Sequence, residues 1–223
     1  ITSCAELQQV VDSLPQETSS ILSNADIGAG LREALDKGIE KQVSKLTKKD
    51  GYLNNQLVKI LLPEELKKVD KGLRDIGLSK LADEGLKVLN RAAEDAVSTA
   101  TPIFVNAVKN ITFNDAKNIL LGGDNAATTY LQNGTNSALY AQFNPVIKNS
   151  FSKVGADKVW TNIITKYNSI PFVKKVNPDL TDYTTQEALK GVYTMIAVEE
   201  KEIRTKVGAR STALLQKVFA MQD

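Results

Sequence analysis

Histidine is absent from the 223 residues, and cysteine occurs once, as Cys4. The first absence removes the commonest general base and metal ligand, which excludes His-dependent triads, His-ligated zinc and haem sites. The second leaves no partner for an intramolecular disulfide and no multi-cysteine metal motif. Charge of one sign is also missing: 28 Lys and Arg stand against 26 Asp and Glu, a formal +2. That balance lacks the electrostatic footprint of a dedicated nucleic-acid binder. Apolar runs such as residues 60–62 fall far short of the roughly 18 residues of a transmembrane helix. Neither a Walker phosphate loop nor a Gly-x-Ser-x-Gly nucleophile elbow is present. The sequence therefore implies no cofactor, no metal and no nucleic-acid partner.

What is present reads as an ordinary globular protein, with 42% hydrophobic and 24% charged residues. From residue 26 onward apolar residues recur every three or four positions, and no stretch alternates as a strand would. Leu31, Leu35, Ile39, Val43 and Leu46 place one face of a helix over 28–46. Asp50-Gly51 marks a turn, and 52–62 a loop or short irregular helix. Pro63, Glu64 and Glu65 open a helix that stops near Gly77, because proline is tolerated there and carboxylates meet the positive end of the macrodipole. Ser79 caps the next helix, whose Leu81, Gly85, Leu89, Ala92 and Ala96 form a small-residue stripe. Pro102 interrupts the pattern.

Thr112-Phe113-Asn114-Asp115 has the form of a capping box and opens a short helix ending at Gly122 and Gly123. Asp124 is then expected to cap 125–131, Asn133-Gly134-Thr135 to stop that helix, and Pro145 to break or kink 137–154. A helix over 157–167 carries Trp160. Pro171 and Pro178 bracket an extended crossing. Thr184-Thr185-Gln186-Glu187 has the form of a capping box for the last long helix, lined by Leu189, Val192, Ile196, Ile203 and Val207. On that helix Glu200 with Arg204 and Glu202 with Lys206 are expected on an outer, solvated face, before a final short helix over 211–219. The expected fold is an all-α, irregular multi-helix bundle with essentially no strand. Residues 1–21 form a tether and linker and 22–223 one helical domain, with 111–135 the place where two loosely packed lobes would divide.

Ile1-Thr2-Ser3-Cys4-Ala5 resembles the end of a bacterial lipobox, in which an aliphatic residue and two small residues precede a lipidated cysteine. The bland alternative is an incidental cysteine. Lipid on Cys4 would hold the body at a membrane, on the periplasmic side of an outer membrane. Residues 5–11 would form a short helix and 14–20 a polar linker. Asp12-Ser13-Leu14 resembles a three-residue bacterial O-glycosylation site.

Gly30-Leu31-Arg32-Glu33-Ala34-Leu35, Asp50-Gly51-Tyr52-Leu53-Asn54-Asn55 and Leu62-Pro63-Glu64-Glu65-Leu66 occur in that order. They are followed by Asn90-Arg91-Ala92-Ala93-Glu94, Leu121-Gly122-Gly123-Asp124-Asn125-Ala126-Ala127-Thr128 and Tyr167-Asn168-Ser169-Ile170-Pro171-Phe172. Together they resemble the bacterial domain of unknown function family 4197 over roughly 22–219. The resemblance implies an exported, helical bacterial protein and brings no activity or catalytic residues with it.

Two segments lack a packing reason and form the candidate partner or ligand face. One is the turn Gly122, Gly123, Asp124 and Asn125, whose glycines can expose amides to an anion, although a helix stop and cap explain the same residues. The other is the crossing with Asn168, Phe172, Lys174 and Lys175, held extended by prolines. The two are expected to lie close in space. Asn177, Asp179, Thr181, Asp182 and Glu187 supply oxygen ligands, but a calcium loop would need glycine at Asp182 and glutamate at Ala188, so a loop and cap fit better. Lys41, Lys45, Lys48 and Lys49 read as a solvated helix end or a patch for phosphates or anionic lipid. Asp115 and Asp124 are the candidate carboxylate pair.

Three functions follow. The first is a non-catalytic interaction or scaffolding protein of the cell envelope with an envelope protein as partner. The second is a carrier holding an apolar ligand in an interhelical pocket lined by Phe104, Phe143, Trp160 and Phe172. The third is an enzyme using only carboxylates, tyrosines or lysines.

Overall fold

A computed structural model of the chain describes residues 23–220, apart from Ile76, Leu78, Ile170, Val173 and Pro178. The expected tether, linker, O-glycosylation motif and Cys4 lie outside the described residues. Nine α-helices and no strand occur among the described residues. They are α1 (Asn24–Leu46), α2 (Glu64–Asp75), α3 (Ser79–Val97), α4 (Thr101–Lys109), α5 (Phe113–Leu120), α6 (Ala126–Lys153), α7 (Ala156–Asn168), α8 (Thr181–Thr205) and α9 (Ala213–Phe219).

Helix α1 starts earlier than its apolar stripe requires because Ser23 and Asp26 form a reciprocal capping box. Ser23 Oγ accepts from Asp26 N at 3.1 Å and Asp26 Oδ2 accepts from Ser23 N at 3.0 Å. The box anticipated at Thr112 and Asp115 opens α5 in the same way. Pro102 sits in the first turn of α4, where its missing N–H costs nothing.

The longest pair of helices, α6 and α8, runs antiparallel. Thr128 meets Glu200 at one end, Thr135 meets Tyr193 midway at 2.7 Å, and Asn144 meets Thr185 at 3.4 Å toward the other. Phe104 of α4 packs edge-on against Tyr193, with centroids 6.1 Å apart. Close helix approach is bought elsewhere by glycine. A Cβ on Gly191 would stand 2.6 Å from the ring of Tyr52, and one on Gly85 would collide with Trp160. One contiguous apolar core extends from Leu31 of α1 to Phe219 of α9.

Several expected helix boundaries and faces differ from those found. Helix α6 runs unbroken through Asn133-Gly134-Thr135 and through Pro145. An interior glycine costs about 1 kcal/mol and an interior proline about 3. Against them, Leu131, Leu139, Phe143, Ile147 and Phe151 are all buried, at roughly 1.5–3 kcal/mol each. Thr184 and Thr185 do not open α8: Asp179 Oδ1 accepts from Thr181 N at 2.8 Å and starts the helix earlier, leaving both threonines fully buried inside it. Val207 lies beyond the end of α8 in a short 3-10 turn and is exposed. Glu200 and Arg204 are not on an outer face but buried, whereas Glu202 and Lys206 form the expected exposed pair.

Candidate functional site

Asp124 does not cap α6. The N-cap is Asn125, and neither it nor Asp124 supplies the capping oxygen. Glu200, reaching across from α8, takes that place: it accepts from Ala127 N at 2.9 Å, Thr128 N at 2.8 Å and Thr128 Oγ1 at 2.8 Å. Arg204, one turn further along, donates from Nε and Nη2 to Glu200 Oε1 at 3.0 and 2.8 Å. Its guanidinium also donates to the carbonyls of Ile119 and Leu120, the last of α5. The negative group thus sits at a helix N-terminus and the positive group at a helix C-terminus, where each is favoured. The first free amides of α6 are thus occupied by Glu200, and the Gly122 amide donates to the carbonyl of Ile119.

Gly122 is a tight-turn residue, since an added Cβ would lie 2.6 Å from that of Ala126. Gly123, Asp124 and Asn125 are exposed. Asp115 and Asp124 stand at opposite ends of α5 rather than across a cleft. Asp115 is engaged by Thr112, whose hydrogen bonds hold its carboxyl below the ordinary carboxylate value.

The crossing is built differently. Asn168 clamps the returning chain: its Oδ1 accepts from Val176 N and its Nδ2 donates to Val176 O, both at 2.8 Å. Lys174 Nζ reaches Glu65 of α2 at 3.0 Å, and Lys175 is exposed. Phe172 has φ +66° and is fully exposed. Glu65 lines an open groove of about 560 Å³ between residues 57–67 and α8, with Leu57, Leu61, Tyr183 and Lys190. Burial pushes the Tyr183 hydroxyl up to about 12, with Glu187, Glu64 and Glu65 adding to it.

The two candidate segments do not come together. The 122–128 turn is held at Glu200 and the crossing, through Glu65, lies near Tyr183, about 25 Å away along α8 at 1.5 Å per residue. The four aromatics proposed for an apolar pocket do not converge either. Phe104 and Phe143 are fully buried in the core, Trp160 is packed on α3, and Phe172 faces solvent. Asp179 and Asn177 form loop and cap bonds to Thr181 N and Asp179 N, and no group of three or more potential metal ligands occurs among the described residues.

Sequence reasoning missed the buried polar clamps. Glu200 lies four residues after Ile196 and three before Ile203, on the apolar stripe itself, and that position was the available signal. Asn90 and Glu94 are a second case: Asn90 pairs with both backbone groups of Ile60, and Glu94 accepts from the amides of Asp50 and Tyr52.

A family model described as a protein of unknown function (DUF4197) matches residues 21–220. No curated protein and no solved structure matches the chain.

Proposed function

We propose that this chain, which belongs to the DUF4197 family, is a non-catalytic interaction or scaffolding protein of the bacterial cell envelope, held at the periplasmic face of the outer membrane by lipid on Cys4. Phe172 carries the reading. A non-glycine residue at φ +66° costs roughly 1–3 kcal/mol, and here the cost supports a phenyl ring that packs on nothing. Strain of this kind persists where surrounding contacts enforce it, and Asn168 with the Lys174–Glu65 pair supplies such contacts. Aromatic side chains dominate binding energy in protein interfaces, and Lys174, two residues on, pairs with Glu65, which lines the groove bearing Leu57 and Leu61.

The test is recovery of a crosslinked partner from envelope fractions with the native chain and with Phe172→Asp. The expected result is a tenfold or greater loss of the partner with an unchanged melting temperature. Undiminished recovery would remove Phe172 from the interface. Intact mass of the membrane-fraction protein decides the anchor, because an unmodified cysteine in that fraction is incompatible with lipidation.

A further inference from the structure

We infer that the groove between α4 and α6 binds a neutral carbohydrate. The groove measures about 740 Å³, and no charged side chain lines it, in a chain of which 24% of residues are charged. An anionic or cationic ligand would find no counter-charge there. An apolar ligand fits no better: Asn106, Asn110 and Asn133 line the groove, and none of these three side chains bonds to another described residue. Covering them with hydrocarbon would strip three amides of water without replacement. A polyhydroxylated ring satisfies both conditions, because each amide both donates and accepts, as each sugar hydroxyl does.

The apolar lining suits the other face of such a ring. Ile103 and the half-buried ring of Tyr130 present carbon surface, and Tyr130 is pinned by a 3.4 Å bond from its hydroxyl to Asp115. Gly134 of α6 also lines the groove. Some helical glycines have a packing reason, as Gly30 against Val218 and Gly191 against Tyr52 show, but a Cβ on Gly134 would meet no atom within 4 Å. Gly72 shares that openness but lines none of these grooves. At Gly134 the missing side chain leaves helix backbone accessible to a ligand.

The full chain, labelled with nitrogen-15, is titrated with tri-N-acetylchitotriose and maltotriose as neutral probes, with trigalacturonic acid as the anionic control and an alanine-rich helical peptide as the protein-like control. At least one neutral sugar is expected to shift the Gly134 amide and the side-chain amides of Asn106, Asn110 and Asn133. Gly134→Ala is expected to raise the melting temperature by about 2–4 °C while weakening sugar binding about tenfold, opposite signs that a merely structural glycine would not give. Asn133→Ala should weaken binding without lowering the melting temperature, and Phe172→Asp should leave binding intact, which separates this site from the partner face. No shift at these residues with either neutral sugar, equal binding by Gly134→Ala, or binding of only the anionic sugar or the helical peptide would overturn the assignment.

Discussion

Glu200 and Arg204 each close an end of a different helix while neutralising one another. Both side chains are only 6% exposed, so removing either strands a charge away from water. Glu200→Ala and Arg204→Ala are each expected to cost about 3–5 kcal/mol, measured by urea denaturation. The double alanine variant should cost less than the sum of the two, because no unpaired charge remains. A strictly additive double variant would show that the two groups are not coupled. The spacing of four was readable in the sequence, but depth was not: the same spacing describes the exposed Glu202–Lys206 pair. Only the coincidence of Glu200 with the Ile196 and Ile203 stripe distinguishes them.

Among the helices, local end signals succeeded at α4 and α5 but failed at α6 and α8, and the interior breakers of α6 failed as well. The Thr112–Asp115 box and Pro102 act within one turn, so neighbours in sequence decide them. Gly134 and Pro145 weaken α6 locally, but α8, α3 and α4 bury a side chain on nearly every turn of it, and the sequence alone does not say that those partners are there. Pro145 is exposed, so its cost is not offset by packing of its own ring. Pro145→Ala is expected to raise stability by about 1–3 kcal/mol, less the entropy returned to the unfolded chain. A lower melting temperature for that variant would mean that a bend at Pro145 is needed to seat Phe143 and Ile147.

At the scale of the whole molecule, the lack of histidine sets the pH response. Hydrogen bonds and cations hold Asp26, Asp115, Asp179, Glu33, Glu65 and Glu202 below their ordinary values of 3.8 and 4.5. Their contribution is present above those values and is lost as pH falls through the lowered ones. Asp36, raised by burial, works in the opposite sense. Burial raises Tyr52 well above its ordinary 10.0 and Tyr183 to about 12. The unfolded chain therefore loses these protons first, and stability declines from about pH 10 upward. Stability from about pH 5 to 9 should be flat, and a step near pH 6.5 in denaturation midpoints would contradict this. The all-α class and the family were legible from periodicity and ordered motifs. The position of the two candidate segments at opposite ends of α8 was not, because their separation depends on how distant helices dock. The core also joins the two ends of the described chain: α1 packs on both α8 and α9, and Gly30 lies directly under Val218. A nascent chain that has not yet released its last helices from the ribosome can set α1 against α4 and α5 but cannot complete the burial of its apolar face. Native closure of that face therefore waits until synthesis is complete, and a polypeptide whose first helix lacks its last partners for that long remains threadable through a narrow channel.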